Sequence, residues 1–477
     1  MKILYVTSEA APFAASGGLG DVLGALPKTM YDLGAGADDI SVIMPLYSKI
    51  SDKYRNEMTQ VLECEIKYSW RRAYCGIKRL DLGGVHYYFV DNERYFKRDG
   101  ALYGHFDDGE RFAYFCHAVI EFMLHTGFVP DVMHANDWQS ALSIVYLRTK
   151  YAHESALWGV KTVYTIHNIE YQGKYDSYSL GDVFGLDVSY KHILEYDGCL
   201  NLMKAAIVCA DRVNTVSPNY ACELRHAFFA FGLQDIISAN AHKISGIING
   251  IDTEYFSPSV GGDIDVAFNA KTVKSGKAQN KERLQAELGL PVDKNIPLIV
   301  MITRLTHGKG IDLVLHVFEE LMHENVQFVL LGTGDADYEQ IFTTLAMRNQ
   351  TKAKALIKFD RVLSKRLYAS ADIFLMPSKS EPCGLAQMIA CSYGTIPVVR
   401  AVGGLYDSIK YYGTPGGNGF LFNNFNAHEM LFTIKDALHL YHDNRKEWDA
   451  LVQNAMHTDF TWQKSAEVYR ELYRSLL

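Results

Sequence analysis

Residues 377–407, PSKSEPCGLAQMIACSYGTIPVVRAVGGLYD, decide the fold. The apolar run Ile373-Phe374-Leu375-Met376 leads into them and reads as a buried parallel strand. Residues 378–382 read as a loop. A helix follows, with Leu385, Met388, Ile389 and Ser392 on one face, and Tyr393-Gly394 ends it. Residues 395–400 form a second apolar strand, and Gly403-Gly404 a second tight loop with a further helix start behind it. Strand, loop and helix, repeated, belong to an open α/β sheet, which binds its ligands at the carboxyl ends of the strands. The free N–H groups beside Gly384 suit a diphosphate or a polarised hydroxyl. Glu381 stands just before that helix, where a carboxylate either caps the N-terminus or grips two sugar hydroxyls.

The rest of the chain extends this pattern. Its 477 residues suffice for two large domains or about three ordinary ones. Hydrophobic content of 48% and charged content of 21% describe a globular protein with a sizeable core. The net charge of −8 includes no basic block, so neither nucleic acid nor an anionic membrane is an expected partner. No apolar run approaches the roughly 18 residues that span a membrane. MKILYVT at the N-terminus reads as a strand rather than a signal peptide. Eight cysteines are scattered without a C-x-x-C pair, which fits a reducing cytoplasm and signals no zinc site.

Along the chain, strand after strand ends in a polar or glycine-rich loop. Residues 3–7 lead to Ser16-Gly17-Gly18-Leu19-Gly20, and Asp21 reads as a helix start with a kink or restart at Pro27. Residues 40–46 form the next buried strand. Residues 61–68 and 85–90 alternate as a small antiparallel insertion, and 110–127 form a strong helix. The strand at 132–135 runs into Asn136-Asp137-Trp138-Gln139, where Asp137 is either an N-cap or a polar contact to sugar. The strand at 163–166 ends in His167-Asn168, and Asn249-Gly250-Ile251-Asp252 closes the first half. From there to about residue 289 the chain reads as loop-rich, with a helix entered after Lys277–Lys281. In the second half, 296–302 leads to Arg304-Leu305-Thr306-His307-Gly308-Lys309-Gly310 and one helix over 311–324. Residues 328–331 lead to Gly332-Thr333-Gly334, and 355–359 end in Lys358-Phe359. Arg304 and Lys309 beside glycines suit a diphosphate, although two cations in a loop are also an ordinary solvated surface. Helices are expected over 430–443 and 465–477.

S-E-P-C-G-L followed by G-T-I-P-V-V-R-x-x-G-G-L-x-D resembles the C-terminal signature of bacterial glycogen synthases and plant starch synthases, the glycosyltransferase family 5 type. R-L-x-x-x-K-G, T-x-H-N and N-G-x-D resemble further motifs of that family in the same order, and the resemblance covers almost the whole chain. It implies an α/β GT-B fold, with two doubly wound Rossmann-like domains facing across an interdomain cleft. Residues 1–251 form the acceptor-side domain, with 460–477 packing back on it, and 252–459 the nucleotide-sugar domain. The activity implied is that of a retaining hexosyltransferase, ADP-glucose:α-1,4-glucan 4-α-glucosyltransferase, which adds glucose to the non-reducing 4-OH of a glucan.

The resemblance implies catalytic roles for Glu381, Arg304, Lys309 and His167. It implies substrate contacts for Gly17, Gly18, Asp21, Asp137, Asn249, Cys383, Gly384, Leu385, Phe359, Thr333 and Gly334. The chain departs from the family at three places. Ala15 replaces the lysine of K-x-G-G-L, Asn136 and Gln139 replace two histidines of H-x-H-D-W-H, and Lys358-Phe359 replaces Gly-Tyr. A retaining glycosidase uses two carboxylates about 5 Å apart. The matched motifs hold no such pair, so an internal-return route without metal or cofactor is the expectation, ADP-glucose being the donor substrate. Three other readings bear on the same residues. A homologue that binds sugar nucleotide or glucan with little or no turnover follows from Ala15. A nicotinamide-dependent dehydrogenase lacks its G-x-G-x-x-G, and a glucan phosphorylase lacks a lysine placed as a pyridoxal anchor. No residue pattern specifies an oligomeric state.

Overall fold

A computed structural model describes residues 1–477. The chain divides into two compact units, Met1–Ile248 with Trp462–Leu477, and Asn249–Thr461. The expected boundaries, after 251 and before 460, differ from these by a few residues. Ile251 explains the difference: its N–H donates to the Phe460 carbonyl at 2.9 Å and it bridges Thr461, so both connecting segments are tied to the second unit.

In chain order the strands of the first unit are β1 (Lys2–Val6), β2 (Asp39–Pro45), β3 (Thr59–Tyr68), β4 (Arg71–Leu82), β5 (Val85–Asp91), β6 (Val132–Asn136), β7 (Lys161–Ile166), β8 (Lys174–Tyr175), β9 (Glu195–Tyr196), β10 (Cys199–Asn201), β11 (Arg212–Thr215) and β12 (Ile244–Gly246). Nine of them make one sheet in the order β12-β11-β7-β6-β1-β2-β5-β4-β3, while β8, β10 and β9 make a small separate sheet. β1 pairs in parallel with both β2 and β6, so the winding reverses between β1 and β6. The expected antiparallel insertion is present as β3, β4 and β5, and it extends the main sheet because β5 pairs in parallel with β2. β4 is absent from the sequence reading, since Arg71, Arg72, Lys78 and Arg79 interrupt any apolar run.

The first helix, Gly18–Leu33, starts three residues before the expected Asp21 and runs through Pro27 without a restart. A proline inside a helix costs about 3 kcal/mol. Burying Val22, Leu23, Leu26 and Met30 at roughly 1.5–3 kcal/mol each outweighs it. The C-terminal helix, Trp462–Arg474, packs against this first helix. Tyr473 Oη lies 2.7 Å from His134 Nδ1, Asn214 Nδ2 donates to Tyr469 Oη at 2.9 Å, and Arg470 pairs with Asp38 at 3.1 Å.

The second unit adds β13 (Leu298–Ile302), β14 (Gln327–Leu331), β15 (Ala353–Leu356), β16 (Ile373–Met376), β17 (Ile396–Arg400) and β18 (Phe420–Phe422). All pairings are parallel, in the order β15-β14-β13-β16-β17-β18. Counted within the unit this is the doubly wound order 3-2-1-4-5-6, with its switch point between β13 and β16. Three helix expectations change. The 252–289 segment holds a helix, Val273–Leu288, that contains Lys277 and Lys281 rather than following them. The 311–324 helix is two, Ile311–His316 and Phe318–His323, broken at Val317. A helix unread in the sequence, Arg445–His457, buries Trp448, Leu451, Val452 and Ala455 at helical spacing.

Candidate functional site

In the first unit the loops that leave β1, β6 and β7 carry the candidate residues. β1 and β6 flank the switch point, and β7 is the next strand beyond β6. After β1 the chain turns back through Glu9, which is only 3% exposed. Its carboxylate accepts from the Ser16 backbone N–H, from Ser16 Oγ at 2.7 Å and from Tyr103 Oη at 2.5 Å. That clamp holds Ala15, Ser16, Gly17 and Gly18 out at the surface, and Asp21 is exposed in the first turn of the helix behind them. A Cβ on Gly17 or Gly18 would meet nothing within 4 Å, so this backbone borders open space.

Asn136 ends β6 and Asp137 follows with φ +56, a left-handed conformation uncommon for a residue with a side chain. Of the two readings of Asp137, the N-cap is not what the structure shows. Asn136 takes the N-cap position, and neither side chain caps the helix Asp137–Arg148. Asp137 Oδ1 instead accepts the His167 backbone N–H at 2.8 Å. Burial pushes its carboxyl up to about 7. Asn136 Nδ2 donates to the Val6 and His134 carbonyls at 3.3 and 3.1 Å, which turns Oδ1 towards His167 Nε2 at 3.0 Å. The amide orientation assigns the His167 proton to Nε2 and leaves Nδ1 as an acceptor. Burial holds this imidazole down at about 3, so it is neutral over the physiological range. His167 therefore stands in a fixed tautomer at the end of β7, positioned by two side chains of the β6 loop.

In the second unit four loops interlock at the carboxyl ends of β13, β14, β16 and β17. Gly310 has φ +72, and a Cβ there would stand 2.0 Å from the Pro377 carbonyl oxygen. Gly403 has φ +46, and a Cβ there would stand 1.9 Å from the Glu381 carbonyl oxygen. These glycines let the β13 and β17 loops lie directly on the β16 loop. Leu305 N–H donates to the Thr333 carbonyl at 2.9 Å and Lys379 N–H to the Gly308 carbonyl at 2.9 Å, joining the β14 and β16 loops to the β13 loop.

Within this frame Lys309 Nζ lies 2.6 Å from Glu381 Oε2, and Ser378 Oγ donates to the same oxygen at 3.0 Å. Glu381 is 7% exposed, and its Oε1 makes no hydrogen bond within the chain. Arg304 is exposed at the mouth of the same loop. Cys383 is buried, which pushes its thiol up to about 12, and the Asn249 backbone N–H points at its sulfur. Asn249 is itself buried, with Oδ1 unpartnered. Gly384 takes φ +72, and Leu385 precedes the helix Ala386–Ser392. Thr333 and Gly334 are exposed beside Leu305. Phe359 stands apart from this group, 80% exposed beyond β15, the edge strand two removed from β13.

Sequence reading missed Glu9, Asn136 and Ser378 as positioning groups. Each is a polar residue at the carboxyl end of a parallel strand or within three residues of a candidate, which is the signal that could have found them. The second unit offers cations and one oriented carboxylate, a set suited to holding a diphosphate ester, and the first unit offers a neutral imidazole suited to a hydroxyl.

A family model described as the starch synthase catalytic domain matches residues 2–239, and one for glycosyl transferases group 1 matches residues 280–456. The chain is 45% identical over 481 residues to a glycogen synthase of Geobacillus thermodenitrificans, covering 100% of this chain and 98% of that one. It is 45% identical to a glycogen synthase of Bacillus cereus, with 100% of both chains covered. Among solved structures it resembles the catalytic domain of starch synthase IV from Arabidopsis thaliana bound to ADP and acarbose. The TM-score is 0.89, with 33% identity and 99% of each chain covered. Sucrose-phosphate synthase from Thermosynechococcus elongatus shares the fold at TM-score 0.62 and 18% identity, over 100% of this chain and 98% of that one.

Proposed function

The chain belongs to the family of glycogen and starch synthases, which are glycosyltransferases of the GT-B fold, and from that premise we propose that it elongates an α-1,4-glucan with glucose from ADP-glucose, retaining the anomeric configuration. The observation that carries the reading is the Lys309–Glu381–Ser378 cluster beside Arg304, at the switch point of the second sheet.

The leaving group is a nucleoside diphosphate, so stabilising its developing charge is the largest task. Arg304 offers a planar fork of donors, and the Lys309 ammonium a point charge. Gly384 and Leu385 add backbone at the same place. Glu381, fixed through Oε2, presents Oε1 to the hydroxyls of the donor glucose. It is an orienting group in this reading. The departing phosphate takes the acceptor's proton on the face it leaves, and the 4-OH attacks from that side, so configuration is retained without a covalent enzyme intermediate. His167 Nδ1 accepts from a sugar hydroxyl, with Asp137 fixing the backbone beneath it. Asn249, with its unpartnered amide oxygen, receives another hydroxyl, and Phe359 offers a ring face to the base. Gly17, Gly18 and Asp21, on the exposed loop and first helical turn after β1, are further substrate contacts in this reading. The solved relative that holds ADP and acarbose supports a nucleotide and a glucan as the two ligands. The reaction needs no metal or cofactor beyond the donor, and its setting is a reducing cytoplasm.

Ala15 withdraws one cation from the donor side, yet Arg304 and Lys309 remain, so turnover is retained. The test is to extend glycogen with labelled ADP-glucose and digest the product with β-amylase. Release of the label as maltose supports α-1,4 addition at non-reducing ends. Label recovered as free glucose before digestion, or resistant to the digestion, overturns the reading.

A further inference from the structure

Cys64 on β3 and Cys75 on β4 stand directly opposite each other in the antiparallel ladder. β3 is the outer edge of the nine-stranded sheet, and Cys64 is half-buried while Cys75 is fully buried. No other cysteine shares the hairpin. Directly opposed residues hold their Cβ atoms about 4.5–5.5 Å apart, and a disulfide needs about 3.5–4.5 Å. An edge strand with an irregularity between Gln60 and Leu62 can supply that small approach.

We propose that Cys64 and Cys75 form a reversible modification site for low-molecular-weight disulfides of the glutathione class. The Cys64 thiolate attacks one sulfur of glutathione disulfide, forming a mixed disulfide and expelling one glutathione thiolate. Cys75 then attacks Cys64 Sγ, forming the cross-strand disulfide and expelling the second glutathione. Two protein thiols are oxidised, one glutathione disulfide is reduced to two glutathiones, and the two protons pass to the leaving thiolates. Cys64 suits the first step because a hydrogen bond from Cys75 lowers its thiol below the ordinary range. Cys75 suits the second because it is buried away from the external disulfide and faces Cys64 across the ladder, so it gives up its proton and attacks only at Cys64 Sγ.

The product is a pinned hairpin. Its tip already ties to the helices behind it, with Trp70 Nε1 donating to Asp182 at 2.6 Å and Arg71 paired to Glu110 at 3.1 Å. A covalent cross-link adds a constraint on the ladder below that tip.

The experiment treats the folded full-length chain, in a Cys222→Ser background that removes the exposed thiol, with glutathione disulfide and maps the peptides by mass. The expected result is a loss of two hydrogens confined to the peptides of Cys64 and Cys75, reversed by dithiothreitol. Cys75→Ser should stop the reaction at a glutathione adduct on Cys64, and Cys64→Ser should leave Cys75 unmodified. Cys64 and Cys75 both remaining alkylatable after treatment overturns the proposal, as does an unmodified Cys64 in Cys75→Ser.

Discussion

The Lys309 ammonium lies 2.6 Å from Glu381 Oε2, two side chains brought together from the loops on either side of the second sheet's switch point. The pair joins the charge that would meet the diphosphate to the carboxylate that would meet the sugar. Glu381→Gln keeps the size and the Ser378 contact but loses the charge. Turnover is expected to fall about 10²–10³-fold with ADP affinity little changed. Initial rates alongside ADP titration check this, and an unchanged turnover number contradicts it.

Lys309→Met leaves a buried carboxylate with one partner fewer. Stability is expected to drop by about 1–3 kcal/mol, and the donor KM to rise while the glucan KM holds. Chemical denaturation and initial rates read the two effects separately.

Asp137 gives a pH dependence with a definite sign. Burial pushes its carboxyl up to about 7, above the roughly 3.9 of an unfolded chain. Between those values the folded state binds the proton more tightly, so the contribution of Asp137 to stability falls as pH rises from about 4 to about 7. Asp137→Asn keeps the His167 N–H bond and removes the charge. At about pH 8 it should be more stable than the native chain by about 4 kcal/mol, and the two should converge below about pH 4. Parallel stability curves across that window contradict this. Activity should fall in the same variant if the carboxylate meets sugar.

Asn136 is expected to hold the tautomer of His167 through its amide oxygen, 3.0 Å from Nε2, while burial keeps the ring neutral. Asn136→Asp places a carboxylate there and raises the imidazole pKa from its depressed value. The native turnover profile should then show no imidazole titration between about pH 5 and 8, and the variant should lose turnover on the acid side of that range. Identical profiles contradict the positioning role.

Gly403→Ala tests the interlocked loops. Its φ of +46 and the Glu381 carbonyl, 1.9 Å from the added Cβ, leave the methyl no room. Stability should fall by more than about 2 kcal/mol and turnover with it.

The parallel strands were legible because apolar runs such as Phe328–Leu331 and Ile373–Met376 admit few other readings. The loops after them were legible because glycines and charged residues follow at once. β4 was not, because a strand with one solvated face, paired between β5 and β3, carries Arg and Lys between its inward residues. The Arg445–His457 helix was legible in principle from Trp448, Leu451, Val452 and Ala455 but stood between stronger signals. The second unit's cluster could be named residue by residue, since its members lie in short glycine-bounded motifs. The hydrogen bond from the His167 backbone to Asp137 could not be read, because that partner comes from a strand 30 residues away in sequence. Glu9 went unread for a similar reason: its partner Tyr103 lies 94 residues on.

The measurement that bears most directly on the central claim is nucleotide release and glucan growth with glycogen and either ADP-glucose or UDP-glucose. Turnover that is faster with ADP-glucose and lengthens the glucan is the expected result, and it makes Ala15 a tolerated replacement. Tight ADP binding with no growth from either donor would contradict the account. Ala15→Lys would then show whether one missing charge is the cause.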